Sequence, residues 1–472
     1  MTFEKLSVPG LSEDELGVLN RNAEALAAKS NRNLLRSSYY DGKRAAQMIG
    51  NVIPPQYANI GLALGWAAKG VDGLARRCNL DKFIWPDGDL GDIGLKELEE
   101  SNFLLSEISQ AETDSLIHGV SYLITTKGDE AAGEPAALVH AKDALNAYGE
   151  WNVRKRGLDN LLSVTAREDN QITGFVLYLF NETISAEKHE GVWSVKRSPH
   201  TFGVPVDPLV YRPRGSRRMG RSRITRPVMA HQDAALRALV RLEGHMDIYT
   251  IPKLILLGAD EGIFRNPDGS MKASWQIALG RTFGIPDSTD NSQDNQRADV
   301  KQFDGQSPKP HLEQLNALAK LMARETDLPD SDFALTDMAN PTSEGSYIAG
   351  RENLIAEAEG AMDDWSVPIR RTVNRALAIQ GGLDAVPDEW GSIEPKWRSP
   401  IYLSRSAAAD AGAKQISVVP WLAETEVGLE LLGLDEQQIR RAMSDRRRAA
   451  GRAVVAALNP QQPAQVANAD GQ

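Results

Sequence analysis

A chain of 472 residues, 42% hydrophobic and 25% charged, carries enough material for two or three folding units. Its formal charge of −11 excludes a histone-like role, since proteins that hold duplex DNA tightly neutralise phosphates with clustered Lys and Arg. The charge leaves open whether the chain never meets DNA or meets it without gripping it. The single cysteine, Cys78, excludes an intrachain disulfide framework and any cysteine-based zinc site. No apolar run approaches the ~18 residues of a membrane span. The opening Met1-Thr2-Phe3-Glu4 lacks the basic-then-apolar pattern of a secretory signal, so a reducing compartment is expected.

The first hundred residues read as helices. Ser12 followed by Glu15 is a capping box, in which each side chain accepts from the other residue's free backbone amide. A helix over 13–30 follows. Tyr39-Tyr40-Asp41-Gly42 closes a second, short helix, Pro54-Pro55 breaks the next, and 58–78 carries apolar residues at helical spacing. Between Leu116 and Thr125 a helix end passes through Gly119 into a strand. Segments 161–166, 175–180 and 192–196 are rich in Val, Leu, Tyr or Trp and predict strands, with Pro205 and Pro208 closing the region. Residues 1–210 read as one mixed α+β domain.

From Tyr211 to Arg226 the chain holds seven arginines (Arg212, Arg214, Arg217, Arg218, Arg221, Arg223 and Arg226) and no carboxylate. This stretch feeds a helix over 227–249, with Pro227 in the first turn, where no amide donor is needed. Val228, Gln232, Ala235, Leu239, Leu242 and Met246 form its stripe. Within 250–307, segments 253–258 and 274–279 are strand-like and 287–294 is a polar loop. A helix over 309–326 follows, so two helices flank a β-rich insert and can run antiparallel with that insert at their tip. Loop chemistry at 339–345 precedes a long helix over 346–380, which Pro368 is expected to kink. Trp390 and Trp397 lie in a connection. A helical segment over 404–458 carries Arg440-Arg441 and Arg446-Arg447-Arg448, and the Gln- and Asn-rich tail 459–472 predicts disorder.

Catalytic signatures are missing. There is no phosphate-cradling Gly-x-x-x-x-Gly-Lys-Ser/Thr loop, no Gly-x-Ser-x-Gly elbow and no metal-holding pair among seven scattered histidines. Asp114 and His118 share a helical face, where a local hydrogen bond is expected rather than a ligand pair. Asp287, Asp290 and Asp294 lack the ligand order and glycine of a calcium loop.

Several segments in combination resemble the portal proteins of siphophages, in particular those from phages of Gram-positive and actinobacterial hosts. They are Tyr39-Tyr40-Asp41-Gly42, Ile117-His118-Gly119-Val120-Ser121-Tyr122-Leu123 and Val204-Pro205-Val206. Gly220-Arg221-Ser222-Arg223-Ile224 then opens a helix that ends in Ile251-Pro252-Lys253, and Trp397-Arg398-Ser399 leads into the C-terminal helices. The likeness runs over residues 30–455.

The resemblance implies an α+β portal fold. Residues 1–222 and part of 381–403 would form a wing, 223–249 and 308–327 stem helices, and 250–307 a clip. A tunnel-loop region at 328–345, a long helix at 346–380, a crown at 404–458 and a tail at 459–472 would complete it. It implies a structural ring subunit rather than an enzyme, with no cofactor and no membrane. Twelve copies would stand at one capsid vertex, assembled in the bacterial host cytoplasm and then part of the virion. The ring would conduct double-stranded DNA and meet the large terminase, head-completion proteins, and the major capsid and scaffold proteins. Asn340, Pro341, Thr342, Ser343 and Glu344 would face DNA; Asp287, Asp290 and Asp294 would face partners of the clip.

Each reading has a plainer counterpart. Arginine runs are most often solvated surface or interface salt bridges; for Arg212, Arg214, Arg217, Arg218, Arg221, Arg223, Arg446, Arg447 and Arg448 the alternatives are DNA phosphates or neighbouring carboxylates. Helical stripes are most often ordinary core faces. Two rival functions remain: a metal-dependent nucleic-acid-processing enzyme, and a monomeric structural adaptor of the virion.

Overall fold

The computed structural model describes residues 5–43, 62–169, 171–249, 253–257, 265–266, 268–270, 299–303, 307–333, 351–402 and 405–458. Its first helix, α1 (Glu13–Tyr40), opens on the capping box: the Ser12 amide donates to Glu15 Oε2 at 2.7 Å and the Glu15 amide to Ser12 Oγ at 3.3 Å. Two helices were expected between 13 and 42, but one continuous helix runs through. The polar run Ser30–Asn33, which locally favours an end, is held by the body: Asn33 is buried and donates to the Ala144 carbonyl at 2.9 Å. About three turns further back, buried Asn22 donates to Asn160 Oδ1 at 2.6 Å.

The chain continues through α2 (Trp66–Ala75), β1 (Leu80–Ile84), α3 (Leu95–Asn102) and α4 (Leu104–His118). Gly119 follows at φ 101° and turns the chain into β2 (Val120–Lys127), as its position predicts. Next come β3 (Ala137–Asp143), β4 (Ala147–Asn152), β5 (Gly157–Glu168), β6 (Gln171–Leu179), β7 (Glu182–His189), β8 (Val192–Pro199) and β9 (Val206–Val210). Strands β4 to β8 form an antiparallel meander, and β3-β2-β9 a separate antiparallel sheet. Pro208 lies inside β9 rather than closing the region. It pairs with Tyr122 at the edge of its sheet, where a missing amide donor is tolerated.

Helix α5 (Arg226–Tyr249) leads to β10 (Lys253–Leu257), which pairs antiparallel with β11 (Asp299–Phe303), and α6 (Lys309–Thr326) returns. The two helices are antiparallel: Arg223, just before α5, bonds Thr326 at the end of α6, while His245 and His311 stack edge-on at 5.1 Å near the opposite ends. Ala235, Leu236, Ala238, Val240, Ala319 and Met322 are buried. Residues 274–279 and 287–294, and with them Asp287, Asp290 and Asp294, lie outside the described residues, as do Asn340, Pro341, Thr342, Ser343 and Glu344.

Helix α7 (Glu352–Gln380) continues through Pro368 and lies against the β3-β2-β9 sheet, burying Trp365, Ile369, Val373 and Leu377. Beyond it β12 (Glu394–Trp397) pairs with β1. A second compact unit starts at Ile401. It consists of α8 (Arg405–Val418), α9 (Glu426–Leu431) and α10 (Glu436–Leu458), so the expected helical segment is broken at Pro420 and Gly433. No described helix is long and apolar enough to cross a membrane.

Three buried clusters organise the described part of the first unit, one of them between β2, β9 and the meander (Tyr122, Ile124, Leu161, Tyr178, Val206). Another lies between α1 (Leu19, Ala23, Leu26) and the meander (Leu162, Phe175, Leu177, Ile184). The largest joins α2, α3, α4, α7 and the roots of α5 and α6 around Trp365. Trp365 is fully buried, yet its indole Nε1 has no hydrogen-bond partner. Trp365→Ala is expected to lower unfolding free energy by about 3–5 kcal/mol in urea titrations. Trp365→Phe, which deletes the unpartnered donor with less loss of volume, is expected to cost much less.

Candidate functional site

The arginine-rich stretch is a knot rather than a loop. Tyr211 is buried behind β9 and its amide donates to the Gly119 carbonyl at 3.1 Å. Arg212 takes φ 48°, and Arg214 and Arg217 exchange backbone bonds of 3.1 and 2.9 Å, forming a tight hairpin. The chain then returns: the Arg221 amide donates to Tyr211 O at 2.9 Å and the Arg223 amide to Leu116 O at 2.8 Å. Gly220 (φ 66°) is required here, because a Cβ would collide with the carbonyl oxygens of Gly119 and Tyr211.

The seven arginines separate into distinct roles. Arg223 is buried and donates from Nε to Gly70 O at 2.6 Å, from Nη1 to Tyr211 Oη at 3.1 Å and from Nη2 to the Thr326 carbonyl. Its Nη1 lies 3.5 Å from Glu357 Oε1, and Glu357 also accepts from Tyr211 Oη and from Arg212. One guanidinium therefore joins α2, the C-terminal carbonyls of α6, and α7. A helix C-terminus favours a cation, which suits this placement. Arg212 reaches the same carboxylate from a half-exposed position. Arg214, Arg217 and Arg218 are exposed, and among the described residues no carboxylate pairs with them. Arg221 and Arg226, the first residue of α5, are exposed as well.

In the second unit Arg446 pairs with Glu424 at 2.8 Å and Arg448 lies 3.8 Å from Asp445, whereas Arg447 is exposed without a carboxylate partner among the described residues. These residues share a helix in which, among the described residues, Ile439 is buried and most others are exposed.

A pair singled out in the sequence behaves differently from expectation: Asp114 and His118 make no hydrogen bond to each other. Burial, reinforced by Asp143, pushes the Asp114 carboxyl up to about 7, while burial lowers His118 to about 4. Neighbouring Glu112 is also buried and held well above the usual carboxylate range. Among the described residues no group of His, Cys, Asp and Glu is arranged to hold a metal. Cys78 is buried, its thiol pushed upward by burial, which removes the thiolate that reactivity needs.

Sequence reasoning missed a cleft of about 1030 Å³ between the two sheets and the end of α7, lined by Thr125, His140, Lys142, Tyr178, Lys196 and His200. Thr125 Oγ1 and Nδ1 of both histidines are buried there without partners. Burial keeps both imidazoles below their ordinary value. No spacing in the sequence signals it, because its residues come from six strands, the end of α7 and the connections between them.

Removing Arg223 takes the buried cation from Glu357 and its donors from the Gly70 and Thr326 carbonyls. Arg223→Met is expected to cost about 3–5 kcal/mol, and Arg212→Ala, at a half-exposed pair, at most about 1 kcal/mol, both read by denaturant titration. For Asp114, the folded pKa lies above the unfolded one, so the native state holds the extra proton and stability falls as pH rises from about 4 to 7. His118 acts oppositely between about 4 and 6.5. Asp114→Asn is therefore expected to be more stable than the parent at pH 7.5, with the advantage vanishing by pH 4, in thermal melts across that range.

A family model for phage portal proteins, SPP1 Gp6-like, matches residues 23–448. The portal protein of Mycobacterium phage D29 is 27% identical over 420 residues, covering 87% of this chain and 83% of that protein. The portal protein of Mycobacterium phage L5 is 26% identical over 416 residues, covering 86% and 84%. Among solved structures, a chain from the neck of an empty gene transfer agent particle, computed with C6 symmetry, is 14% identical with a TM-score of 0.44, covering 81% of this chain and 94% of that one. A chain from the neck of the native particle, computed with C12 symmetry, is 16% identical with a TM-score of 0.39, covering 78% and 90%.

Proposed function

Since the chain belongs to the SPP1 Gp6-like family of phage portal proteins, we propose that it acts as a ring subunit at one vertex of the capsid, through which double-stranded DNA is packaged and ejected. The family match over residues 23–448 carries this reading. In it, α5 and α6 are the stem, the insert with β10 and β11 is the clip that docks the large terminase and later the head-completion proteins, and 404–458 is the crown. Residues 340–344 form the tunnel loop. Assembly takes place in the host cytoplasm with capsid and scaffold proteins, and the ring stays in the virion. The task is mechanical, with no catalytic step.

One physical feature supports association. The C-terminal unit leaves Val418 80% and Trp421 68% exposed, apolar surface that a solitary chain would not keep from water. A closed ring needs head-to-tail contacts that differ on the two sides of each subunit. The charge of −11 suits a channel that does not grip its cargo, because duplex DNA carries one negative charge per ~1.7 Å and a basic lumen would retard sliding.

The deciding experiment is the native mass of the purified chain by light scattering. A ring of twelve subunits of 51.6 kDa is expected near ~620 kDa. A stable monomer would favour the adaptor reading, and a metal-dependent nuclease activity in that monomer would overturn the ring.

A further inference from the structure

Cations and carboxylates are sorted to opposite ends of α4. At its C-terminal end, Arg36 of α1 donates to the His118 carbonyl at 3.0 Å, and the arginine hairpin is bonded through Tyr211 and Arg223 to Gly119 and Leu116. Between residues 25 and 36, α1 carries Lys29, Arg32 and Arg36 and no carboxylate. Burial first, then Arg32 and Arg217, pulls Arg36 down to about 10; burial and Arg32 pull Lys29 down to about 8. The fold thus crowds two basic segments, 180 residues apart in sequence, against their own repulsion. Lys29 rests on the Tyr148 ring at 4.0 Å; Arg32, Arg217 and Arg218 point to solvent with no carboxylate partner among the described residues. Two carboxylates lie at this end as well, Asp143 and Asp114, the latter raised by burial to about 7.

At the other end α3 precedes α4 by one residue, Phe103. Residues 86–100 contain six carboxylates against Lys96, and residues 382–394 contain four with no cation. These segments are neighbours: Gln380 Nε2 donates to Gly94 O at 2.9 Å, and Ile84 pairs with Glu394 across β1 and β12. Glu100 and Glu394 have lysine and arginine partners, but Asp87, Asp92, Glu97, Asp384, Asp388 and Glu389 have none among the described residues. Fifteen residues of α4 hold the two surfaces roughly 22 Å apart, too far to neutralise each other within one chain.

We propose that the basic surface formed by α1 and the arginine hairpin docks onto the acidic edge formed by α3 and the 382–394 segment of the adjacent copy of this chain. The inference rests on the ring reading and names the surfaces that join its subunits. A second copy is the occupant because it carries the complementary surface, and because two different patches meeting head to tail are what a rotational ring requires. Partly desolvated pairs would also fix register, since a misaligned subunit sets like charges together.

The test is a charge swap in the full-length chain, read by light scattering against NaCl concentration. The basic reversal is Arg32→Glu with Arg217→Glu and Arg218→Glu; the acidic reversal is Asp92→Lys with Glu97→Lys and Asp388→Lys. Each alone is expected to reduce the ring fraction at least tenfold, and the six changes together to restore it, which also shows that the altered chains fold. Rings unchanged by either reversal, or not restored by the combination, would overturn the inference while leaving the ring intact. Unchanged rings with weakened binding of a short DNA duplex would overturn it in favour of a DNA surface. A wild-type chain that stays monomeric removes the ring reading itself.

Discussion

A guanidinium stays charged at any pH a protein meets, so burying Arg223 obliges the fold to bring acceptors to it. They arrive from widely separated places: the Gly70 carbonyl in α2, the Thr326 carbonyl at the end of α6, the Tyr211 hydroxyl behind β9 and the Glu357 carboxylate on α7. Satisfying that one side chain fixes where the antiparallel pair α5 and α6 is rooted and how α7 crosses above it. The glycines on either side serve the same joint. Gly119 lets α4 stop and β2 begin beneath the returning chain, and Gly220 lets that chain approach two carbonyls more closely than any side chain permits.

A rooted helical pair has mechanical value. Its far end carries the β10–β11 ladder, and a load applied there is transmitted along two helices whose packed interior is small and apolar. It meets a joint made of directional bonds rather than of apolar contact alone. The joint stays narrow because Gly70 lies against Thr326, where a Cβ would come within 3.0 Å of the threonine methyl.

Charge is organised on a coarser scale. A chain with a net charge of −11 still gathers arginines at one end of α4 and carboxylates at the other that have no ion-pair partner among the described residues. The division of the arginine run explains how: Arg223 is consumed inside the joint, Arg212 is shared at its rim, and Arg214, Arg217 and Arg218 stand exposed on the hairpin with no carboxylate partner among the described residues. The C-terminal unit shows the same incompleteness in apolar form, with Trp421 and Val418 left in contact with water. Both kinds of surface have their natural complement outside the single chain.

Features set by neighbours within a turn or two were legible in the sequence. The capping box at Ser12 and Glu15, the break at Gly119, the limits of α5 and α6 and the strand character of β5, β6 and β8 depend on caps, glycine geometry and periodicity, which act over a few residues. The family likeness was likewise readable from segments in order. Tertiary structure decided whatever hung on a distant partner. Asn22 and Asn33 carry α1 through a run that locally ends helices, because Asn160 and Ala144 receive them. Pro208 sits in a strand because β9 is an edge. Arg223 and Arg217 look alike in the sequence, yet one is buried among four acceptors and the other faces solvent. A side chain's chemistry is local, but the free energy of burying its charge belongs to whatever the rest of the chain places around it.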